Sequence, residues 1–239
     1  MSTKIITIGL DGPNRVGKGT QAKLIQQWFQ SQQIPALIIR GAGTRPGLGQ
    51  EKGDPESAWW QSVNQWIRTP KATYHDWDMT SARLARELLI WRDRILPRCA
   101  QKNERQTAVL IIDRTLLSRT ITLRLRAETN IADKLYPPEA FGKRQPITSV
   151  EVCPDILFQL LAPKELLLSR LEPNDPKYAF RKRLIETTTD YFYDAEQFIP
   201  TQLQKRIKKL DASLSIGQLF SHILDHLKSS SPFETYPIS

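Results

Sequence analysis

Two cysteines in 239 residues, Cys99 and Cys153, are too few and too far apart for a disulfide framework or a zinc site. A reducing cytoplasm is the compartment expected of such a chain. The three histidines, His75, His222 and His226, stand at no metal-ligand or triad spacing, and no Ser/His/Asp or Cys/His arrangement can be assembled. Apolar runs approaching the roughly 20 residues that span a bilayer are missing, so no membrane passage is expected. Met1 leads directly into Lys4-Ile5-Ile6-Thr7-Ile8-Gly9, which reads as a first strand, without the longer apolar stretch and small-residue cleavage site of a signal peptide. Neither an internal repeat nor a low-complexity segment interrupts the chain.

What is present is ordinary for a globular enzyme: 40% hydrophobic residues, 25% charged residues and six tryptophans. The length allows one sizeable core, read here as a single domain over residues 1–228 followed by a tail, 229–239, without periodic signal. A formal charge of +9 fits either a nucleic-acid surface or cations gathered around polyphosphate ligands. The Lys and Arg residues are scattered, densest at Arg181-Lys182-Arg183 and Lys205-Arg206-Ile207-Lys208-Lys209, and no nucleic-acid module accompanies them. Phosphate handling explains the balance more economically.

Apolar strand-like runs alternate with amphipathic ones, the pattern of an α/β protein with a parallel sheet covered on both faces. The expected order is a strand at residues 5–10, a helix at 18–32 and a strand at 35–40, followed by a Gly-rich turn. A long helix over about 79–101 rests on the spacing of Leu84, Leu88, Trp91, Ile95 and Leu96. A buried strand at 109–113 ends on Asp113, and strands at 155–161 and 206–211 follow. Helices are expected at 164–171, 179–198 and 215–227, with a Pro/Asn/Asp loop at 172–178. Residues 50–77 resist assignment, and 129–153 reads as a surface excursion.

The strongest motif is Gly12-Pro13-Asn14-Arg15-Val16-Gly17-Lys18-Gly19-Thr20, directly after the first strand and opening a helix. Glycines let the backbone wrap round a phosphate, successive N–H groups and the helix N-terminus point at the anion, and Lys18 reaches for the β- and γ-phosphates. A strict phosphate loop carries Ser or Thr after the lysine to hold magnesium. Gly19 takes that place here, with Thr20 one step later. Asp113, at the C-terminal end of a parallel strand, projects into the crevice where such folds bind ligands, or else caps the helix that follows.

At these residues the chain resembles the thymidylate kinase family of P-loop nucleoside-monophosphate kinases. Asp11 through Lys18 looks like the family's EGxDRxGK loop, including an arginine within the loop. Val109-Leu110-Ile111-Ile112-Asp113-Arg114-Thr115-Leu116-Leu117-Ser118 is similar to its strand followed by DR(Y/F/H)xxS. Arg40-Gly41-Ala42-Gly43-Thr44 looks like a version of REPGGT lacking the Glu and Pro, and Asp93-Arg94 stands about as far before Asp113-Arg114 as the family's helix arginine. Pro154-Asp155 with the following strand, and Leu210-Asp211-Ala212-Ser213 with Ser215-Ile216, resemble its PD-strand-xxP and DAS-xSI segments.

The resemblance implies a three-layer P-loop fold, a five-stranded parallel sheet with a small lid near 172–180, and transfer of the γ-phosphoryl group of MgATP to dTMP or a related nucleotide. Gly12 to Thr20 and Arg170 would bind ATP. Lys18, Asp113 and Arg15, the last as an internal arginine finger, would be catalytic, and Thr20 with Asp113 would hold Mg2+. Asp11, Arg40, Arg94, Arg114 and Ser118 would face the acceptor, and Arg170, Lys177 or Arg181 would close over ATP. A homodimer is implied, with small nucleotides as the expected partners; a membrane is not expected, and nucleic acid is the less economical reading of the charge.

Arg119-Thr120-Ile121-Thr122 stands where the family has its base-reading Ala-Tyr-Gln run, so the base is left open. Trp59, Trp60, Trp66, Trp77 and Trp91 read as stacking platforms or as core. Two other classes fit the same residues: a phosphate-loop protein that binds ATP without turnover, and a nucleic-acid binding or end-modifying protein, which the +9 charge and the Lys205 to Lys209 cluster would serve. A kinase for a deoxynucleoside or other small acceptor is a nearer neighbour built from most of the same parts.

Overall fold

The computed structural model describes residues 3–40, 92–93, 96–102, 106–115, 117–118, 121, 154–198 and 204–230. Strands β1 (Lys4–Asp11), β2 (Ala36–Arg40), β3 (Thr107–Asp113), β4 (Ile156–Leu161) and β5 (Ile207–Asp211) form one sheet in the order β2-β3-β1-β4-β5. Every neighbouring pair is parallel. The three inner strands, KIITIGLD, TAVLIID and ILFQLL, are rich in branched apolar residues because both of their faces are covered.

Alternation along each strand divides the core into layers. Ile6, Ile8 and Leu10 of β1, Val109 and Ile111 of β3, and Phe158 and Leu160 of β4 pack with two helices on one face. These are α1 (Lys18–Ser31), through Ala22, Ile25 and Phe29, and the closing helix Ile216–Lys228, through Leu219, Ile223 and Leu227. On the other face Ala108, Leu110 and Ile112 meet Leu96 and Ala100 of α2 (Leu96–Lys102). Leu157 meets Phe192 from the helix Tyr178–Tyr193, together with Leu117 and Ile121. With the short α3 (Lys164–Ser169) in between, the helices at Tyr178–Tyr193 and Ile216–Lys228 are α4 and α5. The result is the three-layer α/β arrangement expected from the sequence.

Helix ends follow local chemistry. Ser215 and Gln218 form a reciprocal capping box at the start of α5, with the Gln218 amide donating to Ser215 Oγ at 3.3 Å. α1 stops at Ser31, and Gln33 turns the chain out at φ 58° ahead of Pro35. The helix expected over 179–198 ends earlier: α4 stops at Tyr193, and Ala195–Phe198 is a 3-10 turn. The buried Gln159 side-chain amide of β4 takes the carbonyl of Phe192, satisfying an end-of-helix acceptor from the sheet. Tyr178 is already helical, so the turn before α4 covers 172–177.

The basic run at 205–209 lies on and beside β5, an edge strand, where charged side chains discourage pairing with another sheet. Lys209 there pairs with Glu196 at 3.1 Å. Among the described residues no helix is long and apolar enough to cross a membrane. The Gly-rich turn after Arg40, residues 50–77, most of the helix expected over 79–101, Arg94, the five tryptophans, residues 129–153 and the tail beyond Ser230 lie outside the described residues.

Candidate active site

Register places the C-terminal ends of three strands side by side, with Leu10 opposite Asp113 and Arg40 opposite Asp113 in turn. Ligands of open parallel sheets bind outside such ends. The loop from Gly12 to Gly17 leaves β1 here and returns as α1. Gly12 has φ 141°, and a Cβ on it would lie 2.2 Å from the Leu160 carbonyl oxygen, so only glycine lets the loop turn this close to β4. Gly17, at φ 101°, precedes the first helical residue, and a Cβ there would meet open space. Its glycine answers to the backbone angle alone, and the open volume lies at the N-terminus of α1, where helix amides favour an anion.

Lys18 is buried at 5% exposure, and its Nζ donates to the carbonyl oxygens of Gly12 at 2.8 Å and Pro13 at 2.7 Å. Burial, then the nearby Arg114 charge, pushes its ammonium down to about 7, against the opposing pull of Asp113 and Asp11. A cation in this state is held ready inside the loop, poorly compensated, and gains from an arriving polyanion.

Asp11 is wholly buried. Its carboxylate accepts the Thr115 amide at 3.1 Å, the Thr115 hydroxyl and the Ser118 hydroxyl. Burial raises its pKa, while those hydrogen bonds and Lys18 oppose the rise. Asp11 and Ser118, expected at the acceptor, are therefore placed as a brace between the end of β1 and the segment after β3. Thr115 was not singled out from the sequence, since it carries no signal until its distance from Asp11 is known.

Arg15 stands in the left-handed region at φ 64°, as does Arg114 at φ 75°. Non-glycine residues held there cost on the order of 1 kcal/mol each, and both border the crevice. Asn14 Oδ1 accepts the Arg15 amide at 3.0 Å and supports the turn. The Arg15 guanidinium reaches the turn before α4: Nη2 donates to Asp175 Oδ2 at 2.9 Å, and Glu172 lies at 4.0 Å from Nη1. Asp175 Oδ2 also takes Arg181 Nη1. The Lys177 amide, ahead of Arg181 and Arg15, holds the Asp175 carboxyl below the usual range. Arg170, expected on ATP, donates to the carbonyl oxygens of Arg15 at 3.4 Å and Ala212 at 3.0 Å, tying the loop to the segment after β5. Asp175 and Glu172 fall within the lid implied near 172–180, but carry no individual signal in the sequence.

Asp113 is buried at 8% exposure at the end of β3, close enough for its charge to act on Lys18. Thr20 is exposed on the first turn of α1. One carboxylate and one hydroxyl are hard oxygen donors of the kind magnesium accepts while taking its remaining ligands from water and phosphate. No cluster of three or more His, Cys, Asp or Glu able to hold a metal occurs among the described residues. Arg40 ends β2 beside Asp113, and Pro13, Val16 and Gly19 complete the loop round Lys18.

A solved structure of thymidylate kinase from Candida albicans is similar over 97% of this chain and 95% of its own, with a TM-score of 0.55 and 14% identity. The fold is thymidylate kinase-like. No family sequence model matches the chain, and no curated protein matches it in sequence. The likeness is thus one of backbone. Within a thymidylate kinase-like fold, the loop carrying Lys18 lies near Asp113 at the end of β3 and, through Arg15, meets the turn carrying Asp175.

Proposed function

We propose that the chain is an ATP-dependent nucleoside-monophosphate kinase that moves the γ-phosphoryl group of MgATP to dTMP or a related nucleotide. The observation that carries the reading is the buried Lys18, folded onto the carbonyls of Gly12 and Pro13 at the N-terminus of α1 with Asp113 close by. A lysine buried among backbone carbonyls, with its pKa lowered to about 7, is stabilised by a polyanion far more than by solvent.

Phosphoryl transfer asks for alignment of two polyanions and cancellation of their charge, with little covalent work from the protein. Lys18 and the amides opening α1 hold the donor phosphates. Arg15 brings positive charge to the junction between donor and acceptor, and Arg114, with Arg40 and Arg94, orients the acceptor. Thr20 and Asp113 hold magnesium, which when bound screens the phosphate charge. An acceptor phosphate is already ionised, so no general base is required. The turn at 172–177 and α4 exclude water, keeping transfer ahead of hydrolysis. The same reading carries a cytoplasmic location and a homodimer, the latter open to light scattering in solution.

The test is ADP release from MgATP with a panel of nucleotides and nucleosides as acceptors. Turnover with a monophosphate, lost in a folded Lys18→Ala or Asp113→Ala protein, is the expected result. Near-normal transfer by folded Lys18→Ala protein contradicts the assignment. ATP binding without ADP release for every acceptor replaces it with a non-catalytic nucleotide-binding role.

A further inference from the structure

One carboxylate oxygen, Asp175 Oδ2, receives two guanidinium groups that come from separate parts of the chain. Arg15 belongs to the loop after β1 and Arg181 to the first turns of α4. Their side chains are 27% and 24% exposed and that of Asp175 is 11% exposed, so the three meet under substantial cover. The arrangement is one that a phosphate oxygen forms with two arginines. The fit is also incomplete. Among the described residues the buried Arg15 Nε has no hydrogen-bond partner, although its Nη2 is engaged at 2.9 Å. Asp175 cannot serve it, because Oδ1 accepts the Lys177 amide at 2.9 Å and Oδ2 is shared between the arginines. A tetrahedral anion with three free oxygens can meet Nε and Nη2 of Arg15 together and still reach Arg181.

Building on the proposed kinase reading, we propose that Asp175 is a built-in stand-in for a phosphate, and that Arg15 and Arg181 form a phosphate subsite which the end of a polyphosphate chain fills by displacing that carboxylate. Asp175 stays tethered to α4 through the Lys177 amide, so its departure from Arg15 moves the turn at 172–177 with it. Before displacement the carboxylate keeps two arginines from repelling each other. After displacement both cations face the ligand. Arg181 thereby becomes a binding residue, and Asp175 sets how tightly the subsite binds by competing for it.

The experiment is calorimetric titration with inorganic tripolyphosphate, which has no base or sugar and reports on the phosphate subsites without any turnover. Proteins compared are wild type, Lys18→Ala, Asp175→Asn, Arg181→Ala and the Asp175→Asn/Arg181→Ala double variant, each checked for folding by thermal melting. Asp175→Asn preserves side-chain shape and the bond to Lys177 while removing the competing charge. It is expected to tighten binding about fivefold, as for loss of one partly screened ion pair. Arg181→Ala is expected to weaken binding and, in the double variant, to erase the gain. Binding that depends on Lys18 but is unchanged or weakened in Asp175→Asn overturns the stand-in role and leaves the kinase reading intact. Failure of the wild type to bind, or binding indifferent to Lys18→Ala, overturns both.

Discussion

The carboxylate of Asp11, at the end of β1, receives both the backbone amide of Thr115, at 3.1 Å, and its hydroxyl, across 104 residues of sequence. With the Ser118 hydroxyl on the same carboxylate, this contact decides where the segment after β3 lies relative to the phosphate loop. Asp113 and Arg114, two and one residues before Thr115, are aimed by it.

Asp11→Ala strands two hydroxyls and an amide in a dry site. A loss of about 3 kcal/mol of stability is expected, read from urea denaturation. A protein that melts like wild type but shows a large rise in acceptor KM would return Asp11 to an acceptor-contacting role.

Lys18 provides a pH signature. The unfolded lysine keeps its proton to 10.5, whereas the folded one releases it near 7, so between these values the unfolded state binds more protons and stability rises with pH. Relative to Lys18→Met, the wild type should gain up to about 1.4 kcal/mol per pH unit above 7 and show no such gain below 6. Parallel stability profiles for the two proteins from pH 6 to 9 would remove this account of Lys18.

Gly12→Ala places a methyl against the Leu160 carbonyl, at 2.2 Å, in a conformation that L-residues rarely adopt. The loop and β4 cannot both keep their positions. A loss of about 3 kcal/mol or more, together with loss of ATP binding, is expected from thermal melting and nucleotide titration. A folded Gly12→Ala protein with wild-type ATP affinity is the contrary result.

Arg170→Met removes donors to Arg15 and Ala212 while keeping much of the aliphatic stem. Stability should fall by about 1 kcal/mol, and the KM for ATP should rise more than kcat falls, because the loop is less well held rather than chemically altered. Steady-state kinetics decide, and a large fall in kcat at unchanged KM points instead to contact with the transferring group.

Patterns local to one segment were legible without coordinates. The branched apolar runs of β1, β3 and β4 and the strand-to-helix passage through Lys18 each advertise their element within a few residues. The glycines round Lys18 did the same for the phosphate loop, because backbone curvature is a local property. Helix ends were read less well where a distant side chain decided them, as Gln159 does for Phe192 at the end of α4.

Tertiary structure alone decided how the charged residues are shared out. Asp11 and Ser118 share a motif with crevice residues, yet they are joined to each other through a buried brace. Asp175 reads as a turn residue until its 160-residue separation from Arg15 closes to a 2.9 Å hydrogen bond. Periodicity and backbone angle are imposed by neighbours in sequence, so composition and spacing determine them. Electrostatic pairing depends on which atoms share a low-dielectric space, and only the folded sheet brings those atoms together.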